Sequence, residues 1–359
     1  NFVAIPDCDL VGVADLRPER LDHIQRLYPS AHVTEDYHEL FVMGLDAVVV
    51  ATPPASHFPI TQEALQHGLH ALVEKPLTLS ASQAQALVDL ADECGLKLMV
   101  GHTFEYNPAV RKAKEIIDSG ELGKVYYIDA VRVNLGLFQN DLNVIWDLAP
   151  HDISIARYLL GQDPLAVSAS GGDFIFHNKH DVAYITLHFA DGIMAHIQVS
   201  WLNPNKVRRT TIVGSKKMLV YDDVEPLEKI RVYDKGVERP PYTDTFDDFR
   251  CSYRYGDIVT PYISGAEPLR TQCQHFIDCI LDHERQPQSD GRVGLRVVQI
   301  LEAADRSLLN GGTLQPIDPE AAKALGLPFG QADSRRTGGA LVGIEPEVRP
   351  AAGLYEAQP

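Results

Sequence analysis

The chain has 359 residues, with 32 lysines and arginines against 49 aspartates and glutamates, giving a formal charge of −17 at neutral pH. That length suits two domains, each able to bury its own core, and the acidity argues against nucleic acid or an anionic membrane as the main partner. Five cysteines (Cys8, Cys94, Cys251, Cys273, Cys279) form no CxxC pair, no apolar run reaches membrane-span length, and Asn1–Asp7 carry no secretory core, so a reduced cytoplasmic protein is expected.

Asp9 to Asp15 predicts a strand. A helix follows from Pro18 to about Tyr28, with proline well placed in its first turn. Asp46 to Thr52 is a continuous apolar run, the type of strand buried on both faces. Next come a helix from Ser56, its expected N-cap, to His67 and a strand ending at Val73. A helix from Ser80 to about Cys94 and a strand over Lys97–Gly101 complete the series. Such alternation implies βαβ units and a parallel sheet.

The pattern then changes. A helix from Pro108 to about Ser119 leads into a long strand, Val125 to Val133, and a helix carrying Asp147 that ends near Gly161. Strands follow at Leu165–Ala169, Val182–Phe189, Ile193–Trp201 and Arg209–Val213, predicting an antiparallel sheet with one face free to pack. In one of them, Ala183, Ile185, Leu187 and Phe189 form the better core face, opposite Val182, Tyr184, Thr186 and His188. Two helices close the ordered region, Thr271–His283 and Val293–Leu309. The fold class is α/β: a Rossmann-type parallel sheet over 1–121, then an α+β domain with a largely antiparallel open sheet over 122–328. Residues 329–359 lack periodicity and are expected to form a disordered tail.

Two motifs carry chemistry. Glu74-Lys75-Pro76 closes the strand at Val73, so Lys75 stands at the carboxyl edge of the parallel sheet, where α/β proteins bind ligands. Asp147 and His151, four apart on one helix, face the same way. Lysine, aspartate and histidine together can move a proton to or from a hydroxyl group. A dinucleotide fold normally opens with a strand, a Gly-x-Gly-x-x-Gly turn and a helix, and no such turn occurs in these residues. Asn1–Ala4 reads as the end of a first helix and Asp9–Asp15 as a second strand, so the first βα unit is expected to be missing. The alternative, a fold without that unit, is opposed by Asp15: an acid at the end of the second strand is where the ribose hydroxyls of NAD are held.

Ala51-Thr52-Pro53-Pro54 with His57, Glu74-Lys75-Pro76, Gly101 to Pro108 and Asp147-x-x-x-His151 occur in an order and spacing that resemble the Gfo/Idh/MocA oxidoreductases. That family includes glucose-fructose oxidoreductase and myo-inositol dehydrogenase. The resemblance covers roughly Asn1 to Pro319. It is strong because Glu-Lys-Pro stands about 70 residues before the Asp-x-x-x-His helix inside this layout. It implies an NAD-dependent enzyme that moves hydride between a secondary hydroxyl of a sugar or nucleotide sugar and nicotinamide, with the stretch from Asn134 to His151 closest to the nucleotide-sugar branch. Lys75 would touch nicotinamide and substrate, His151 would be the acid/base, and Asp147 would orient it or the substrate hydroxyl. Thr52, Pro53, His57 and Glu74 would lie along the cofactor.

Other residues follow from position. Arg17 would stack on adenine and, beside an intact Asp15, favour NAD over NADP. Arg132 and Asn134 share a strand face; the resemblance implies that this strand contacts substrate, and the alternative is a solvent-facing polar row. Asn143, just before the catalytic helix, could reach the substrate. Arg208, in the basic cluster Lys206/Arg208/Arg209, could hold a diphosphate or uronate, or lie on a solvated strand face. No metal is expected, since no Cys or His cluster accompanies Asp147 and His151, and no Gly-x-Ser-x-Gly elbow suggests a hydrolase. The alternatives are a myo-inositol or cyclitol dehydrogenase, and a silent NAD- or sugar-sensing protein such as the yeast galactose-control repressor. Retention of Lys75 and His151 favours the enzyme. The partners expected are a small sugar or nucleotide-sugar substrate and a second copy of the chain, as a homodimer or homotetramer paired through the open sheet.

Overall fold

In the computed structural model, which describes residues 1–139, 141–238 and 251–327, strand and helix alternate through the first hundred residues. The order is β1 (Gly12–Ala14), α1 (Pro18–Leu27), β2 (His32–Thr34), α2 (His38–Phe41), β3 (Ala47–Val50), α3 (His57–Gln66), β4 (His70–Val73), α4 (Ala81–Cys94) and β5 (Leu98–Val100). Helix ends sit where the local chemistry puts them. Pro18 opens α1, and Ser80 Oγ accepts the Gln83 N–H to cap α4. Gly95 closes α4 with φ of 66°, a left-handed turn that costs glycine little. β2 and α2, only three and four residues long, show no periodicity that a sequence reading could use.

β3, β4 and β5 pair in parallel, and so do β1 and β2, but the two sets share no ladder. In a doubly wound sheet the strand that carries the glycine turn lies between those two edges. Among the described residues none lies there. β3 is therefore an edge strand, and its Val49 is 46 % exposed. This corrects the expectation of burial on both faces: an apolar strand is enclosed only with neighbours on both sides.

α5 (Pro108–Asp118) leads into the second sheet. Its nine strands include β6 (Val125–Leu135), β7 (Ala166–Gly172), β8 (Val182–His188), β9 (Met194–Ser200) and β10 (Leu202–Gly214). β11 (Met218–Asp222), β12 (Ile230–Glu238), β13 (Ser252–Val259) and β14 (Gln315–Pro316) complete it. The order is β13-β12-β11-β10-β6-β9-β8-β7-β14, antiparallel except for β6 against β9. β11 to β14 lie beyond the strands read from sequence. β8 alternates as expected: Ala183, Ile185 and Leu187 are buried, while Tyr184 on the opposite face is 42 % exposed. The helices α6 (Val144–Leu160) and α8 (Gly291–Leu309) cover the buried face, and α7 (Pro268–Leu281) and α9 (Pro319–Leu325) are the remaining α-helices among the described residues. The expected tail from 329 lies outside the described residues.

α8 joins the two halves. At Gly294 a Cβ would stand 2.6 Å from Val100 Cγ2, so the absence of a side chain lets the helix lie against β5. Its other residues enter one apolar cluster that runs from Val50 and Val73 through Ile153 to Ile197 and Leu301. Burial of this continuous core fixes the edge of the parallel sheet against α6, and this apposition builds the site. Among the described residues no helix is long and apolar enough to cross a membrane.

Candidate functional site

The site begins with the N-terminus of α6. Asn143 Oδ1 accepts the Ile145 and Trp146 N–H groups at 3.0 and 3.2 Å, a side-chain N-cap. Its amide donates to Asp305 Oδ1 on α8 at 3.2 Å, and Trp146 Nε1 donates to Asp305 Oδ2 at 2.6 Å. Both ends of the Asn143 amide thus take part in starting and anchoring the helix.

Asp147 lies in the first turn. Lys75 arrives from the end of β4, where the Glu74 N–H still pairs with Val50 O. Lys75 Nζ donates to the Asp147 carbonyl at 2.8 Å and lies 3.5 Å from Asp147 Oδ1. The other carboxylate oxygen, Oδ2, accepts from Trp201 Nε1 at 3.0 Å. Trp201, just after β9, was missed in the sequence. Its signal was the alternation Ala195, Ile197, Val199, Trp201, which aims all four at α6.

His151 stands one turn further along. Phe104 packs edge-on to its ring with centroids 5.1 Å apart. Nδ1 is enclosed without a partner, and Nε2 is not among the enclosed, unpartnered atoms. Burial first, then the charges of Lys75 and Arg132, hold its pKa well below the ordinary 6.5. The ring is therefore neutral at neutral pH and can accept a proton. Nearby His102 is buried with neither ring nitrogen bonded, and burial followed by Arg157 and Lys75 lowers it to about 3.

Arg132 is not a free substrate contact. Its Nε and Nη2 donate to Asp152 at 2.6 and 3.1 Å, and both side chains are about 5 % exposed or less. Its guanidinium stacks 4.5 Å over the Phe104 ring that backs His151. The strand alternation gave the right face, but that face lies against α6. Asn134, two residues on, shares that face and is part-buried near the Trp201 end. Arg208 sits opposite Arg132 on β10, 3.6 Å from Asp223, and it is one of the charges that lower His151.

The remaining candidates lie along the carboxyl edge of the parallel sheets. Asp15 follows β1, and its Oδ1 accepts the Arg17 N–H at 2.9 Å. Arg20 Nη1 reaches Oδ2 at 3.4 Å, a second arginine that the sequence reading omitted. Arg17 is exposed beside them, 3.6 Å from the carboxylate. Thr52 and Pro53 are exposed, and Ser56 Oγ donates to Thr52 Oγ1 and Pro53 O instead of capping α3. Glu74 places its carboxyl group 3.0 Å from where a Cβ at Gly101 would lie, and Lys75 follows through a cis peptide to Pro76.

His57 contradicts its assignment to cofactor. It is 0 % exposed, and its nitrogens meet the carbonyls of Pro76 and Thr52, each at 2.8 Å. The ring ties two backbone segments together and has no edge left for a ligand. Taken together, the residues present fit the ribose end of NAD at Asp15 and the nicotinamide end at Glu74 and Lys75. Among the described residues no glycine-rich turn cradles the diphosphate.

Residues 2–102 match the model of an oxidoreductase family with an NAD-binding Rossmann fold, and residues 110–220 match the GFO/IDH/MocA C-terminal domain. The chain is 28 % identical over 298 residues to the UDP-N-acetylglucosamine 3-dehydrogenase of Acidithiobacillus ferrooxidans, covering 80 % of this chain and 86 % of that one. It is 26 % identical to the scyllo-inositol 2-dehydrogenase (NAD(+)) of Bacillus subtilis strain 168, covering 87 % and 90 %. A crystal structure of the Acidithiobacillus enzyme superposes with a TM-score of 0.68 at 25 % identity, covering 83 % and 89 %. With the fold, the order of the motifs and both family models in agreement, this chain belongs to the Gfo/Idh/MocA family of NAD-binding oxidoreductases.

Proposed function

We propose that the protein oxidises a ring secondary alcohol of a nucleotide sugar, or in reverse reduces the corresponding ketone, with Lys75, Asp147 and His151 as its catalytic residues. The observation that carries this reading is His151, held neutral by burial and neighbouring charge, one helical turn from the Lys75–Asp147 contact. The substrate hydroxyl gives its proton to His151 Nε2 as the carbinol hydrogen departs as hydride. The Lys75 ammonium stabilises the negative charge that develops on the oxygen, and Asp147 fixes the ammonium. Bound NAD would supply the hydride acceptor. Asp15 would hold its adenine ribose, and Glu74 and Lys75 would lie beside the nicotinamide.

Arg208 supports one sugar class over another. Its charge is among those that lower His151, and it stands 3.6 Å from Asp223. A cation so placed favours a substrate carrying a phosphate or uronate over an uncharged cyclitol. The nucleotide-sugar relative is consistent with this, while the inositol relative supports the cyclitol alternative. We also propose a homodimer or homotetramer formed through the open sheet face around Tyr184.

The test is NADH formation with a panel of UDP-sugars, UDP-uronates, free uronates and inositols. Turnover with a UDP-sugar or UDP-uronate, lost in His151→Ala, is expected. Turnover with inositols alone would move the assignment to cyclitols. No turnover with any member of the panel would overturn it.

A further inference from the structure

Trp201 has no freedom of place. Its N–H donates to Asp181 O at 3.0 Å, and its carbonyl accepts the Gly136 N–H at 2.9 Å. The side chain is 1 % exposed, and the Phe138 ring packs against it with centroids 5.3 Å apart. A Cβ at Gly136 would stand 2.7 Å from Trp201 Cδ1, so only a residue without a side chain leaves room for the indole. The ring held this way offers a single polar atom, the Nε1 donor, and that atom meets Asp147 Oδ2 at 3.0 Å.

We infer that Trp201 is the positioning residue for Asp147: its indole N–H fixes Oδ2 and so presents Oδ1 to Lys75 and to the substrate hydroxyl. An indole cannot accept a hydrogen bond, so the contact requires an acceptor oxygen and resists rotation of the carboxylate. Without it, the Asp147 carboxylate keeps, among the described residues, the 3.5 Å approach of Lys75. Phe138 extends the arrangement outward. Its ring also meets Phe176 edge-on with centroids 5.6 Å apart, and Leu137 beside it is 87 % exposed. A substrate that covers this apolar rim would press the same stack onto Trp201.

A buried tryptophan often finds some acceptor for packing reasons alone. Trp146 is the internal reference: its Nε1 donates to Asp305, away from Lys75. The chain contains 2 tryptophans, so a protein labelled with ¹⁵N-tryptophan gives two indole N–H signals.

The inference rests on Asp147 belonging to the proposed site, and the experiment separates the two. In the NMR arm, Asp147→Asn in the full chain is expected to move the Trp201 indole signal and leave that of Trp146 in place. An unmoved Trp201 signal overturns the inference without reference to activity. In the kinetic arm, Trp201→Phe keeps the ring packing and removes the donor. We expect kcat to fall about 10- to 100-fold, with KM for the sugar little changed, in a protein that melts cooperatively. Unchanged kcat, or a change confined to KM, overturns the inference. Full turnover in Asp147→Asn would sink the proposed function instead.

Discussion

The Lys75 ammonium donates to the main-chain carbonyl of Asp147 at 2.8 Å, joining the end of β4 to the first turn of α6. This contact crosses from the parallel sheet to the helix that covers the antiparallel one. It sets the position of the lysine before any ligand arrives, and preorganised charge of this kind acts without reorganisation at the moment of reaction.

Replacing either member of the proposed catalytic pair should therefore cost turnover more than binding. His151→Ala is expected to lower kcat by roughly 10²–10⁴-fold, and Lys75→Ala by a similar factor. Because His151 is held well below 6.5, the acid limb of kcat/KM for alcohol oxidation should lie below that value. Steady-state rates across pH check this, and an essential base titrating above neutrality would reassign the role.

Arg132 and Asp152 form a buried two-bond pair under Phe104. Arg132→Met leaves Asp152 buried and unpaired, and is expected to destabilise the fold by about 3–5 kcal/mol. The double variant Arg132→Met/Asp152→Leu should recover most of that loss. Urea denaturation of both variants measures it. A single variant as stable as the parent would mean that water reaches the pair.

Glu105 and His102 lie on the same short turn, and burial moves them in opposite directions. Glu105 rises from 4.5 to about 8, and His102 falls from 6.5 to about 3. Folded Glu105 keeps a proton that the unfolded chain has lost, so its stabilisation is full below 4.5 and disappears as pH rises toward 8. Folded His102 refuses a proton that the unfolded chain takes, so its stabilisation is full above 6.5 and disappears as pH falls toward 3. Between 4.5 and 6.5 the two slopes oppose each other. Glu105→Gln should flatten the loss of stability from 6.5 to 8, leave the His102 slope unopposed between 4.5 and 6.5, and change nothing below 4.5, as read by denaturant midpoints across pH. An unchanged alkaline slope would show that Glu105 is ionised in the fold.

Asp15 presents its carboxylate at the end of β1 with Arg17 and Arg20 beside it. The acid should accept the adenine ribose hydroxyls and repel a 2′-phosphate. Asp15→Ser is expected to narrow the preference for NAD over NADP, because it leaves two arginines at the ribose. Competition binding of the two nucleotides checks it, and a parent protein that prefers NADP would reject the assignment.

The long elements were legible because their patterns are local. α1, α3, α4, α5, α6 and α8 announce themselves through period, cap or closing glycine, and β8 through strict alternation. The short β2 and α2 carry no such repeat. The pairing of Asp147 with His151 needed only helix geometry, and Lys75 only its place after β4.

What the sequence determined by itself was the fold class, the family motifs and the three residues proposed for acid–base chemistry, since each is set by neighbours within a few positions. The tertiary structure alone decided which polar groups remain free. His57 and Arg132 had plausible ligand roles until the carbonyls of Thr52 and Pro76 and the carboxylate of Asp152 were found to occupy them. Trp201 became part of the site only because β9 and α6 pack face to face, 54 residues from the aspartate that its indole holds. A hydrogen-bonding group can be read from sequence, but its partner is chosen by burial, and burial depends on the whole fold.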